Sequence, residues 1–293
     1  MSKKISVIIN CYNSEEFLSE CIKSVLSQTY TNFEIIFWDN QSTDRSSNIV
    51  KSFGDNRIKY LLAPKHTTLG LARNLAAEHV SGDWIAFLDC DDLWSADKLE
   101  TQMNLINSST SELGIVYSRI KLINEGNCNT IMAKQYSTLI KQMRSHAEEN
   151  VYNRLLKGNY IIFSSVLLKV EAFKLVGGID STLQQNEDYD LLIKVAQKFN
   201  AGCCEAHLTS YRVHSNNNSI KNNYLHFEET NKILSSLQPS PELESARRLN
   251  RTRQGLYLMT QGELFKGIGV IVRHGSFSAI SQIVNKRLLS KLI

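Results

Sequence analysis

Phe87-Leu88-Asp89-Cys90-Asp91-Asp92 (FLDCDD) sets three carboxylates within four residues, directly behind an apolar run. Like charges confined beside a core repel and lose hydration, so such a cluster is either met by a cation or sent into solvent. Its surroundings decide which. Trp84–Leu88 is the fourth apolar, β-rich run, after Ile5–Asn10, Phe33–Trp38 and Arg57–Ala63, and helical patterns fall between them at Ser14–Ser27, Thr43–Phe53 and Leu69–Val80. Asn13 followed by Glu16 predicts a capping box at the first helix. Alternation of strand and helix predicts an α/β fold with helices on the faces of a parallel sheet, where ligands bind at the carboxyl ends of the strands. Asn10–Asn13, Asp39–Asp44 and Asp89–Asp92 all fall at such ends, so three strand ends converge on one polar crevice.

After Asp92 the pattern loosens. A helix is expected at Ala96–Asn107, strands near Leu113–Ile123 and Ser164–Leu168, a helix from Glu187 to Phe199, and a strand near Cys203–Val213, which together predict a mixed half-sheet. Asn124–Ala133 reads as a polar loop or hairpin tip and Asn216-Asn217-Asn218 as another loop. Beyond Tyr224 the pattern is helical, punctuated by Pro239 and Pro241. The expected division is a domain over residues 1–223, with a nucleotide-binding half to about 95 and an acceptor half from about 96, followed by a basic helical extension over 224–293.

With 293 residues and 42% hydrophobic content the chain can bury a large core. The apolar run after Met1-Ser2-Lys3-Lys4 is too short for a secretion signal, and the six cysteines show no C-x-x-C pair, so reduced thiols and a cytosolic location are expected. Cys90 reads as a bystander, because carboxylates on both sides favour a hard, oxygen-binding ion. The net charge of +4 is uneven: Ser245–Ile293 holds nine Lys or Arg and one acid, Glu263, so this tail carries about +8 and the remainder about −4. Leu264–Val272 is apolar but broken by Lys266 and stopped by Arg273-His274, well short of the ~20 residues of a membrane span. Phe277, Ile280, Val284 and Leu288 recur at helical spacing among Lys286, Arg287 and Lys291, which suits either a helix on an anionic membrane or one packed against protein.

No G-x-G-x-x-G follows the first strand and no Walker lysine loop is present, which argues against a dinucleotide dehydrogenase and a P-loop enzyme. A divalent ion on Asp89 and Asp91 would hold a phosphate ligand in the crevice by another route, since Mg²⁺ or Mn²⁺ takes one or two carboxylates plus phosphate oxygens. By itself a D-x-D is a weak signal that reads first as a solvated turn capping the helix at Ser95-Ala96, and its place at a parallel strand end is what favours the metal.

Several stretches in one order carry a resemblance. The opening SVIINCYNSEEFLSECIKSVLSQTYTNFEIIFWDNQSTDRS, the ARN at Ala72–Asn74, FLDCDD, VGGID at Val176–Asp180, NEDYDL at Asn186–Leu191 and YRVH at Tyr211–His214 resemble family 2 glycosyltransferases of the GT-A fold across roughly residues 5–215. The resemblance implies an inverting enzyme that uses a nucleotide-diphosphate sugar, a UDP-sugar or else a dTDP-sugar, together with Mn²⁺ or Mg²⁺. It places Asp39 at the nucleotide base, Asn10, Tyr12 and Asn13 along the donor, Arg73 at the nucleotide or pyrophosphate, Asp91 on the metal, Asp89 at the ribose or metal, and His214 near the diphosphate or metal. Asp188 is implied as general base with Glu187 beside it. The residues alone also allow plainer roles: a turn for Asp39, a surface ion pair for Arg73, helix capping for Glu187-Asp188.

One base suits the chemistry, because a nucleoside diphosphate leaves readily once a metal neutralises its charge, whereas a glycosidase needs an acid as well. Asn10-Cys11 stands where the family commonly has proline and threonine, and Asn40-Gln41 where a shorter acidic-glycine turn is usual. No Q-x-x-R-W follows Asp188, so transfer of one sugar or few, to a glycan or lipid-linked acceptor of a surface polysaccharide, is expected rather than processive synthesis. A nucleotidyltransferase and a non-catalytic nucleotide-sugar-binding scaffold are the rival readings. No nucleic-acid partner is expected.

Overall fold

The computed structural model describes residues 2–124, 151–214, 223–276 and 280. These form two compact units, one from the described parts of 1–152 and 160–217, the other from those of 153–159 and 218–293.

The first unit is an eight-stranded sheet in the order β3-β2-β1-β4-β7-β6-β8-β5. Its strands are β1 (Ile5–Cys11), β2 (Phe33–Asp39), β3 (Ile58–Leu62), β4 (Trp84–Asp89), β5 (Leu93–Trp94), β6 (Leu113–Asn124), β7 (Leu167–Lys169) and β8 (Asn200–Val213). β3, β2, β1 and β4 pair in parallel, and β7 then runs antiparallel to both β4 and β6. The expected mixed sheet is therefore present. Between the strands in sequence lie α1 (Leu18–Leu26), α2 (Ser46–Ser52), α3 (Leu69–Ala77), α4 (Lys98–Ser108), α5 (Val151–Leu155, whose last three residues belong to the second unit), α6 (Val170–Leu175) and α7 (Glu187–Ala196). All of β2 and nearly all of β1 is buried, as expected of central parallel strands covered on both faces. α1 covers one face with Leu18, Cys21, Ile22 and Val25, and each fully buried aliphatic side chain of this kind contributes ~1.5–3 kcal/mol.

Register carries the chemistry to one edge. Asn10 pairs with Trp38 on one side and Asp89 on the other, and Cys11 pairs with Asp39, so the polar ends of β1, β2 and β4 are level. Strand order reverses at β1, the position where open α/β sheets form their crevice.

The second unit contains α8 (Asn223–Ser236), α9 (Pro241–Thr260) and α10 (Leu264–His274). Pro241 opens α9 behind the N-cap Ser240, whose side chain accepts from the Leu243 amide at 3.1 Å. α9 and α10 cross closely because Gly255 and Gly267 face each other: a Cβ on Gly255 would lie 2.5 Å from Ile271 Cγ1 and 2.7 Å from the Gly267 carbonyl oxygen.

Three expectations are corrected. The capping box at Asn13 and Glu16 does not form: α1 begins at Leu18 behind Phe17, which makes no side-chain cap bond, because Asn13 turns away with φ 51° and accepts the Thr43 amide at 2.8 Å. The strand expected near Ser164–Leu168 opens as a 3₁₀ turn at Phe163–Ser165, where the Ser165 amide and hydroxyl both bond the Ile162 carbonyl. The helix expected to reach Phe199 ends at Ala196. The loops expected after Asn124 and at Asn216–Asn218, and most of the amphipathic pattern from Phe277 to Leu288, lie outside the described residues.

Candidate active site

The crevice is assembled around one buried guanidinium. Arg73 projects from α3, and its two terminal nitrogens bind Asp89 Oδ1 at 2.9 Å and Glu187 Oε1 at 3.0 Å, with the guanidinium over the Phe163 ring at 4.8 Å. It thereby ties the carboxyl end of β4 to the N-terminus of α7. The next residue, Asn74, fixes the helix: its side chain accepts the Ile179 amide at 3.0 Å and donates to the Ile179 carbonyl at 2.8 Å. This locks the VGGID turn, whose Gly177 and Gly178 sit at φ +83° and +73°, onto α3. The sequence expectation directed Arg73 at the donor; in the structure both carboxylates hold it.

Glu187 and Asp188 open α7. Glu187 is buried, one oxygen on Arg73 and the other, Oε2, without a hydrogen-bond partner. Asp188 is partly buried, and burial first, then the charge of Glu187, push its carboxyl up to about 7 against the opposing pull of Arg73 and the Tyr189 amide. A helix N-terminus alone would lower this value. Burial and a like charge win here, and they leave a carboxylate basic enough to take a proton near neutrality.

The Asp89–Asp92 turn is held from across the sheet by β8. Arg212 donates from Nε to the Asp91 carbonyl at 2.8 Å and from its backbone amide to Asp92 Oδ1 at 3.0 Å; its terminal nitrogen pairs with Glu20 at 2.9 Å, over the Phe17 ring at 4.3 Å. Two residues on, His214 Nε2 lies 2.9 Å from Asp91 Oδ2. Burial, then Asp89, raises the Asp91 carboxyl above its usual range, while His214 opposes the shift. Burial followed by Asp91 and Asp89 raises Asp92 further. These shifts mark a place where positive charge would be welcome.

The donor set is hard carboxylate with one imidazole, which fits Mg²⁺ or Mn²⁺ completed by phosphate oxygens. No group of three His, Cys, Asp or Glu forms a ready-made ion cage among the described residues. Asp91 and His214 are together, and Asp89, with Oδ1 on Arg73, keeps its side chain 44% exposed. Cys90 is buried, its thiol 3.2 Å from the Asn10 carbonyl.

At the other side of the crevice Asp39 is buried, accepting the Ser42 amide at 2.7 Å on Oδ1 and the Tyr60 hydroxyl at 2.7 Å on Oδ2. Its turn role is thus realised. Tyr12, half exposed, lies 4.2 Å centroid to centroid from His66, whose Nδ1 is 2.9 Å from the Asn40 carbonyl, and the two rings form a wall beside Asp39. Asn13 serves the loop after β2 through Thr43. Asn10 differs: both atoms of its buried amide lack a partner, at the level of Asp89. Native structures rarely leave a buried amide so, and a bound ligand is one remedy.

Arg212 and Tyr60 were not among the residues singled out from the sequence. Arg212 could have been found as the polar interior of YRVH, and Tyr60 as a lone hydroxyl in an apolar strand.

The model for "Glycosyl transferase family 2" matches residues 6–176. An Escherichia coli protein described as UDP-Glc:alpha-D-GlcNAc-diphosphoundecaprenol beta-1,3-glucosyltransferase WfgD is 31% identical over 219 residues, 75% of this chain and 80% of its own length. An uncharacterized glycosyltransferase of Haemophilus influenzae is 30% identical over 75% of this chain and 82% of its own. Among solved structures, S. aureus TarS 1-349 in complex with UDP-GlcNAc superimposes with a TM-score of 0.69 at 16% identity, over 94% of this chain and 82% of that one. The mannosyltransferase PcManGT from Pyrobaculum calidifontis, in complex with GDP-Man and Mn2+, gives 0.64 at 14% identity, over 99% and 81%. The two structures share the GT-A-type fold, and with the family model and the curated relatives they lead to one conclusion: the chain belongs to glycosyltransferase family 2.

Proposed function

We propose that the chain transfers a single sugar, with inversion, from a UDP-sugar to a hydroxyl of a lipid-linked or glycan acceptor in surface polysaccharide synthesis, at the cytosolic face of a membrane. The observation that carries this reading is Asp188: a carboxylate made basic by burial and by Glu187, beside an arginine-bridged acid pair at the carboxyl edge of the sheet. The diphosphoundecaprenol acceptor named for the E. coli relative and the UDP donors named for it and for TarS support the substrate classes.

In this reading Asp188 takes the proton of the acceptor hydroxyl as that oxygen attacks the anomeric carbon from the face opposite the leaving nucleotide. Glu187 stays on Arg73 and holds Asp188 basic by its charge. Arg73 keeps Asp89 and α7 at a fixed separation. The ring wall of Tyr12 and His66 stacks the base above Asp39, and the unpartnered Asn10 amide meets the donor. Asp91, His214 and Asp89 would hold Mn²⁺ or Mg²⁺, which when bound neutralises the charge of the departing diphosphate.

A thermal-shift panel of nucleotide sugars with and without Mn²⁺ tests the reading, since a ligand at 100 times its dissociation constant stabilises by ~2.7 kcal/mol. UDP-sugars should stabilise most, in a Mn²⁺-dependent way, and turnover should release nucleoside diphosphate. Release of pyrophosphate would turn the assignment to a nucleotidyltransferase, and donor binding without any Asp188-dependent turnover or hydrolysis would turn it to a scaffold.

A further inference from the structure

The second unit holds a basic cleft of about 400 Å³, lined in part by Glu244, Arg247, Arg248, Arg251, Arg273 and His274. Glu244, Arg247, Arg248 and Arg251 fall at i, i+3, i+4 and i+7 on α9 and so share one face. Arg273 and His274 end α10. Four guanidinium groups thus face a single carboxylate.

Their existing contacts set the geometry without cancelling the charge. Arg247 is spent on structure: Nε and a terminal nitrogen donate to the Leu234 carbonyl at 3.1 and 2.9 Å, serving the C-terminal end of α8. Arg248 bonds Glu244 at 3.2 Å and remains 58% exposed, and Arg251 bonds the neutral side chain of Gln254 at 3.1 Å. Arg273 is exposed and makes no ion pair among the described residues. Planar, permanently charged forks gathered around a polar hollow are suited to phosphate oxygens.

A second observation says where that phosphate resides. Of the eight exposed large hydrophobic residues among those described, four lie on α10: Leu264, Phe265 at 88%, Ile268 and Val272 at 68%. Gly267 and Ile271 are the side of α10 packed against α9, so Phe265 and Val272 are turned outward. A helix with one outward apolar face, ending in two basic residues beside an arginine cleft, matches the two layers of a bilayer surface. No helix among the described residues is long and apolar enough to cross a membrane.

We infer that the α9–α10 face is a docking site for anionic phospholipid, with the headgroup phosphate in the arginine cleft and the apolar face of α10 at the headgroup–acyl boundary. The proposal rests on the membrane location proposed above and is independent of the sugar chemistry. It also places the lipid contact on α9 and α10, upstream of the Phe277–Leu288 pattern.

Co-sedimentation of the full chain with vesicles of phosphatidylcholine containing phosphatidylglycerol, against phosphatidylcholine alone, tests it without any donor. Binding should require phosphatidylglycerol and weaken as salt rises. Arg248→Gln with Arg273→Gln should weaken it about tenfold to thirtyfold, at ~1 kcal/mol per basic residue near the surface. Phe265→Ser should weaken it severalfold, and all variants should keep wild-type melting temperatures because these side chains are exposed. Titration with inorganic pyrophosphate in place of vesicles separates a lipid site from a free-phosphate site. Failure of the wild type to bind phosphatidylglycerol vesicles overturns the proposal, whether or not pyrophosphate binds. Vesicle binding that both the arginine and the Phe265 variants retain overturns it as well.

Discussion

The two edges of the parallel half of the sheet treat buried acids in opposite ways. At the amino edge Glu34, on β2, receives the Ser6 hydroxyl at 2.7 Å, the Ser81 amide at 2.9 Å and the Ser81 hydroxyl at 2.6 Å, with Lys59 at 3.0 Å and Lys4 at 3.2 Å on its other oxygen. Burial pushes this carboxyl up, but the serines and Lys59 outweigh it and hold it at about 2. At the carboxyl edge Asp91, Asp92 and Asp188 are shifted upward, burial being the first cause in each. A carboxyl held below its ordinary range favours the folded state at neutral pH, whereas one raised by burial and like charge opposes it. In the proposed reading, this difference separates a structural acid from those that take a proton or hold an ion.

The sharpest break of this contrast is Asp188→Asn. The amide keeps size and polarity but takes no proton, so turnover at saturating donor and acceptor should fall ~10²–10⁴-fold while donor affinity stays within a fewfold. Retention of more than about a tenth of wild-type turnover would move the base to another carboxylate. Glu187→Gln should shift the pH profile and leave turnover measurable.

At the carboxyl edge Arg73 joins two carboxylates, and Arg73→Leu should cost ~3 kcal/mol by chemical denaturation, since it strands buried Glu187. Arg73→Lys should recover only part, because one ammonium replaces two nitrogens that reach separate carboxylates. Equal stability of Arg73→Lys and wild type would show that only charge matters there. At the amino edge Glu34→Gln should cost ~1–3 kcal/mol, leaving kcat unchanged.

Asp91→Ala should do the reverse: it removes one of several crowded charges, so stability should change by no more than ~0.5 kcal/mol or rise slightly. UDP affinity should lose its dependence on Mn²⁺, measured by calorimetry with and without EDTA.

The pH dependence separates the edges by sign. Glu34, lowered from 4.5 to about 2, contributes stability that is present above pH 4.5 and lost as pH falls through 2. Asp188, raised from 3.8 to about 7, contributes stability that is present below 3.8 and lost as pH rises through 7. Wild type compared with each amide variant by denaturation should therefore show opposite slopes. The kcat profile should rise with an inflection near 7, and an inflection near 4 would contradict the raised basicity of Asp188.

Much of this was legible in the sequence because it is local. Apolar runs at Ile5–Asn10, Phe33–Trp38 and Trp84–Leu88 marked the central strands, and the polar residues directly behind them, Asp39 and Asp89 among them, had to fall at one edge once those strands were parallel. A strand's period and a helix's period are read within a few residues. What no local pattern contains is the partner of a charge. Arg73 meets Glu187 across 114 residues, and the Arg212 amide meets Asp92 across 120. Asn13 likewise abandons its own helix for Thr43, 30 residues on, because the loop after β2 lies beside it only in the folded chain. Local pattern thus sufficed for an α/β sheet with acids at its carboxyl edge and for helices toward the C-terminus. Which acids are held ionised, as at Glu34, and which are raised, as at Asp188, was settled only on folding, because desolvation and pairing depend on neighbours that folding brings from far along the chain.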